Sequence, residues 1–150
     1  MPDLIALDFA RFLPYRLSVL ANTVSQDIAS EYEQRFGLSV TQWRVMAILG
    51  RHDDLAARDV ALRTAMDKVA VSRALTGLMQ RKLVSRKVAA NDRRASRLRL
   101  TAAGRRIHDR IVPLALEHER RLLERLDADE QRWLRRILDR LQPSPEAPDE

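Results

Sequence analysis

The chain contains no cysteine. Disulfides, thiolate metal ligation and cysteine-based peroxide sensing are therefore excluded, and any redox response would need other chemistry. Only four glycines occur, Gly37, Gly50, Gly77 and Gly104, and their spacing makes neither G-x-G-x-x-G nor a phosphate-binding loop. The three histidines, His52, His108 and His118, include no pair four residues apart, as a helical zinc site would want. His52 and His118 read as solvated residues, His108 as lining a pocket or covering a helix. No run approaches the roughly 20 apolar residues of a membrane span, and the first residues lack the basic start of a secretory signal, so a cytoplasmic location is expected. Nothing pairs a nucleophile with a base. Glu117, Glu119 and Asp139 alternate with arginines at helical distances and read as ion-pairing faces, so neither an enzyme nor a cofactor is expected.

What the chain has is cationic charge in one place. Between Asp67 and Arg106 stand twelve Lys or Arg and two acids, a local charge of +10 in a 150-residue chain whose total is +6. The rest is net negative, so the basicity is a patch. Such a patch attracts phosphates through counterion release and predicts salt-dependent nucleic-acid binding. A membrane-surface role would need an apolar face opposite the charges, which the basic segment lacks. The length suits one domain with a real core.

Pro14 opens a long helix in which Leu17, Leu20, Val24, Ile28, Tyr32 and Phe36 recur every three or four residues, and Gly37 ends it. Ser39 and Gln42 have the spacing of a capping box before a short helix with Trp43, Val45, Met46 and Leu49. After a turn at Gly50 to Asp54, residues 56 to 63 form another helix, and Asp67 caps a fourth that runs to about Lys82. The last two make a helix-turn-helix. In the fourth helix Val71, Leu75 and Leu78 face inward, leaving Lys68, Val69, Ser72, Arg73 and Thr76 on the open face.

From Val84, two strands with alternating residues flank an Ala-Ala-Asn-Asp turn and form a wing. Thr101 caps a long helix through Ile107, Ile111, Leu114, Leu122 and Leu126 in which Pro113 predicts a kink. Asp127 to Glu130 opens a last helix carrying Trp133, Leu134, Ile137, Leu138 and Leu141. The tail 143–150 is Pro-rich and acidic and reads as disordered. The fold class is thus mainly α: a winged helix-turn-helix, residues 38–100, between long helices at 13–36 and 101–141. Their apolar stripes exceed what one small winged helix can cover, which points to a homodimer, with an intramolecular helical hairpin as the other possibility.

The wing sequence Asp92-Arg-Arg94 through Leu100-Thr101-Ala-Ala-Gly104 resembles the D-x-R tip and L-T-x-x-G helix entry of MarR-type transcriptional regulators. The resemblance extends through Leu38 to Trp43, Val71-Ser-Arg73 and Leu83 to Arg86, about residues 13 to 141. It implies a homodimer whose terminal helices pair and whose winged helices each take one half of a pseudo-palindromic operator in double-stranded DNA. Lys68, Val69, Ser72, Arg73 and Thr76 would then meet base edges or flanking phosphates, Arg being suited to guanine. Arg94 would enter the minor groove, Arg86, Lys87 and Arg93 would hold phosphates, and Asp92 would orient a neighbouring arginine or serve as a plain turn residue. The resemblance also implies repression relieved by a small, often aromatic or phenolic effector. Tyr15, Arg16, Trp43 and His108 are the candidates to bind it, although such aromatic residues also serve as core. One departure is Lys82, where the family commonly has a helix-ending glycine, which predicts a left-handed lysine. Gly77 within the fourth helix is expected to soften it by about 1 kcal/mol relative to alanine. Two other readings of the charge stay open: a sequence-indifferent architectural binder, and a protein-interaction module with a solvated basic face.

Overall fold

The computed structural model describes residues 6–89 and 92–142, and at 89 and 92–95 it describes backbone alone. The expected disorder of 143–150 and the apex of the wing turn at 90 and 91 lie outside the described residues.

The elements follow the caps and breakers of the sequence. A 3-10 turn at Phe9–Arg11 precedes α1, Leu13–Phe36, then α2, Val40–Arg51, α3, Ala57–Thr64, and α4, Lys68–Gln80. A hairpin of β1, Val84–Ala89, and β2, Asp92–Leu100, leads into α5, Ala102–Leu123, and α6, Ala128–Leu141. The expected class, mainly α with a two-stranded wing, is what the chain adopts.

The chain divides into two compact units, residues 1–40 and 41–150. In the first, Pro14 occupies the opening turn of α1, where a missing N–H costs nothing. The helix ends at Gly37, in the left-handed conformation at φ 62°, with Gly37 N–H donating to Glu33 O and Leu38 N–H to Tyr32 O. The apolar stripe is covered unevenly. Tyr32 and Phe36 are buried, Val24 and Ile28 half-buried, while Leu13, Leu17, Val19 and Leu20 are exposed. Phe9 packs against Tyr15, ring centroids 4.4 Å apart.

In the second unit the core is built from Val45, Met46 and Leu49 of α2, Val60 of α3, Val71, Ala74, Leu75 and Leu78 of α4, Val84, Leu98 and Leu100 of the hairpin, and Ile111 of α5. Each large apolar side chain so buried contributes about 1.5–3 kcal/mol. α3 ends on a left-handed Ala65, φ 52°, and two residues later the Asp67 carboxylate accepts from Ala70 N–H at 2.8 Å. That cap fixes the helix-turn-helix and the start of α4.

α4 ends through Lys82, which is left-handed at φ 56° as its replacement of a glycine predicts. The backbone then folds back, with Leu83 N–H donating to Leu78 O at 2.9 Å. Thr101 ties this corner to α5: its hydroxyl donates to Lys82 O at 2.7 Å and accepts from Gly104 N–H at 3.0 Å. Gly104 is buried, and a Cβ there would lie 2.0 Å from Leu83 O, so only glycine permits the approach. α5 runs unbroken through Pro113. It stops at Leu123 rather than continuing to Leu126, because the Gln131 amide of α6 donates to the Leu123 and Leu126 carbonyls at 2.9 and 3.1 Å. α6 begins with a complete capping box between Asp127 and Glu130. It buries none of its residues, and Trp133, Ile137 and Leu141 stand exposed in the single chain.

Candidate nucleic-acid interface

The outer face of α4 is the one its periodicity predicts. Lys68, Val69, Ser72, Arg73 and Thr76 are all exposed, while Val71, Ala74, Leu75 and Leu78 are buried beneath them. The Thr76 hydroxyl donates to Ser72 O at 2.9 Å, leaving its lone pairs outward. Val69, an apolar residue with a branched Cβ, is 61 % exposed and does nothing for the core. Among the described residues neither Lys68, Arg73 nor Arg86 is ion-paired, so these charges face solvent uncompensated.

The strand register sorts the wing's cations onto two faces. Val84 pairs with Leu100 and Arg86 with Leu98, while Ser85 pairs with Arg99 and Lys87 with Arg97. Opposed residues of an antiparallel pair share a face. Arg86 therefore lies on the side of the buried leucines, where with Arg58, Lys68 and Ser72 it rims a cavity of about 300 Å³ floored by Val71 and Leu75. Lys87, grouped with Arg86 as a phosphate holder from sequence, lies on the opposite face with Arg97 and Arg99. The alternation fails between Lys87 and Ala89, where the register shifts. The backbone of Asp92, Arg93 and Arg94 is strand, but their side chains, and so their proposed tip contacts, lie outside the described residues.

A third segment braces the hairpin. Leu55 exchanges both backbone hydrogen bonds with Leu98, at 3.2 and 2.8 Å. Beside it, Asp54 is left-handed at φ 59°, and its two carboxylate oxygens accept from the Arg99 guanidinium at 2.6 to 3.0 Å. Arg97 donates to the Asp54 carbonyl at 3.0 Å. The Arg99 hydrogen bonds, aided by the charges of Arg99, Arg97 and Lys87, hold the Asp54 carboxyl below its ordinary range. The pattern of hydrophobic residues gives no sign of this contact across 45 positions; its only local signal is an Asp-Asp turn.

Of the four effector candidates, Trp43 and His108 come together, their rings 5.7 Å apart. His108 crosses Gly50 so closely that a Cβ there would meet its Nε2 at 2.2 Å, and its Nδ1 lies 3.1 Å from the Asp109 carboxylate. In the first unit the Tyr15 ring lies tilted by 34° against Phe9 and Arg16 is exposed on α1. Gly77 proves to be more than a soft point in α4, since a Cβ would approach the Gln42 amide nitrogen at 2.6 Å. Among the described residues, no group of three or more metal-ligating side chains is gathered and no helix is long and apolar enough to cross a membrane.

A helix-turn-helix that presents an uncompensated polar face, followed by a basic hairpin, is the frame of a winged-helix DNA-binding protein. Comparison with known proteins agrees. The MarR family model matches residues 36–95. An uncharacterized HTH-type transcriptional regulator of Bacillus subtilis (strain 168), YdgJ, is 30% identical over 121 residues, covering 79% of this chain and 72% of its own. The crystal structure of a MarR/EmrR family transcriptional regulator from Acinetobacter sp. ADP1 superposes with a TM-score of 0.82 at 27% identity, over 90% of this chain and 95% of that one. S. aureus MepR, solved as a complex with DNA, shares the fold with a TM-score of 0.79 at 23% identity, over 87% of this chain and 96% of that one. The chain belongs to the MarR family and is a DNA-binding transcriptional regulator, not an enzyme.

Proposed function

We propose that the protein acts as a homodimeric, sequence-specific repressor that sits on a pseudo-palindromic operator and leaves it when a small, aromatic or phenolic effector binds. The observation that carries this reading is the open face of α4, where Lys68, Val69, Ser72, Arg73 and Thr76 are exposed above a fully apolar buried side. Such a face offers cations for phosphates, a guanidinium for guanine and a branched apolar contact for a thymine methyl. Arg86 and Arg93 then hold phosphates, Lys87 reaches them from the other face of the wing, and Arg94 enters the minor groove with Asp92 orienting it. The exposed apolar residues of α1 and α6 support pairing with a second copy, since stripes of this size are costly in water. In such a dimer Tyr15, Arg16, Trp43 and His108 are the residues offered to the effector. Arg16 would meet a carboxylate and the rings would stack against an aromatic body. The effector acts by favouring a dimer whose α4 helices no longer stand about one DNA turn, ~34 Å, apart.

The test is selection of duplexes from a random or genomic pool with the purified protein, followed by binding of the winner and a shuffled control across salt. An enriched pseudo-palindrome with half-sites about one turn apart is expected. Equal, steeply salt-dependent affinity for every duplex would replace the repressor with an architectural binder. Absence of salt-dependent binding to any duplex would leave a protein-interaction module. A selected operator that no aromatic carboxylate or phenol releases would remove the effector from the proposal.

A further inference from the structure

Arg97 and Arg99 belong to the basic patch but receive no DNA contact from the sequence, and both are already engaged. Both guanidiniums close on one residue: Arg99 on the Asp54 carboxylate in a two-pronged contact, Arg97 on the Asp54 carbonyl. The contact is built at some expense, because Asp54 holds a left-handed backbone, φ 59°, that glycine would adopt without strain. A glycine there would shape the turn equally well but offer no carboxylate. The neighbouring residue continues the same brace through the paired backbone of Leu55 and Leu98. Asp54 also faces an electrostatic problem on that side of the hairpin. Lys87 and Arg97 are directly opposed across the strands, an arrangement that repels unless an anion lies nearby.

We infer that Asp54 is a positioning residue for DNA recognition: it latches β2 to the turn after α2, fixing the posture of the wing, and it withholds Arg97 and Arg99 from the phosphates. The latch rests on the DNA-binding role proposed above and gives the wing its selectivity. A wing held at one angle places its tip in one register on the duplex. Removing two long guanidiniums from the pool of free cations lowers the sequence-independent attraction that every duplex shares. Wing posture and charge restraint then act together, one raising operator affinity and the other lowering background affinity.

Two variants separate these effects. Asp54→Asn keeps the shape and tolerates the left-handed backbone, but loses the charge that holds Arg99. Arg99→Gln breaks the same contact and leaves no freed guanidinium. Binding of both to the duplex selected by the wild-type protein, and to a shuffled duplex, is read by fluorescence anisotropy across salt, with thermal melts as the folding control. Both variants are expected to lose operator affinity several-fold while melting close to wild type. Only Asp54→Asn is expected to steepen the salt dependence on the shuffled duplex, by about one unit of slope for each guanidinium that reaches a phosphate. A wing that is merely destabilised would not steepen that slope. Operator affinity within about twofold of wild type in both variants, or an unchanged slope for Asp54→Asn, overturns the inference. Wild-type protein that binds no duplex in a salt-dependent way overturns the DNA-binding reading beneath it as well.

Discussion

Gly104→Ala puts the corner between α4, the wing and α5 to a direct test. An added methyl would lie 2.0 Å from Leu83 O and 3.0 Å from its carbonyl carbon. Non-bonded heavy atoms rest near 3.5 Å, so the start of α5 must retreat from residues 82 and 83 by more than about 1 Å. The obstacle is backbone and cannot swing aside as a side-chain tip would. That retreat stretches two contacts that now measure 2.7 Å, Thr101 hydroxyl to Lys82 O, and 3.0 Å, Thr101 N–H to Leu83 O. Overpacking costs about 1–3 kcal/mol and each lost hydrogen bond about 1 kcal/mol, giving about 3–5 kcal/mol in all. Against a total stability of about 5–15 kcal/mol this is a large fraction. At about 2–4 °C per kcal/mol for a chain of this size, the melting temperature should fall on the order of 10 °C, read by far-UV circular dichroism. A variant melting within about 2 °C of wild type would show that the corner yields and that the glycine is not needed for close approach.

Gly50→Ala should displace His108, whose Nε2 a new Cβ would meet at 2.2 Å, and change the fluorescence of the neighbouring Trp43; an unchanged emission spectrum would contradict the packing. Arg73→Ala should weaken operator binding by about 1–3 kcal/mol with little change on shuffled DNA, whereas Arg86→Ala should weaken both alike; equal losses for both variants on both duplexes would reject that division. Because its folded pKa lies below the ordinary value, the Asp54 carboxylate stabilises the latch above about pH 4 and loses that contribution only as the pH falls through the lower folded value. The Arg99 Nε–H resonance should therefore stay constant from about pH 7 to about pH 5 and shift only in stronger acid, and a transition near pH 6 would rule out Asp54 as the partner. Ile137→Arg on the exposed face of α6 should convert a dimer to a monomer by sedimentation equilibrium, and persistence of the dimer would exclude that face from the interface.

Helix starts and the end of α1 were readable because their determinants are local, whereas α2 continues through Gly50 to Arg51, past the expected start of the turn. Asp67, Thr101 and Asp127 each accept from the N–H three residues on, and Gly37 marks its stop by being glycine. The inward residues of α4 followed from a period of 3.6. What escaped the sequence depends on contacts between distant positions. Nothing near Asp54 announces Arg99, nothing near Leu123 announces the amide of Gln131, and Gly77 reads as a weakness until Gln42 is seen against it. Arg86 and Lys87 are adjacent in a basic run and so read as one role, but strand parity places them on opposite faces. Alternation also expects regular pairing up to the wing tip, and the irregularity after Lys87 breaks it.

That parity has a consequence for how regulators of this kind diversify. A side chain on a strand has only two destinations, so the hairpin works as a row of binary switches whose settings depend on counting residues from Val84. Lengthening β1 by one residue between Val84 and Arg86 would exchange the populations, sending Arg86 outward toward Asp54 and turning Lys87 toward the cavity beside α4. Substitutions can tune the wing's charge by degrees, whereas an odd insertion rewires which cations are latched and which are loose in a single step. Length changes within the regularly paired stretch from Val84 to Lys87 should therefore come in pairs, whereas the irregular segment beyond Lys87 already absorbs an odd excess of residues in β2.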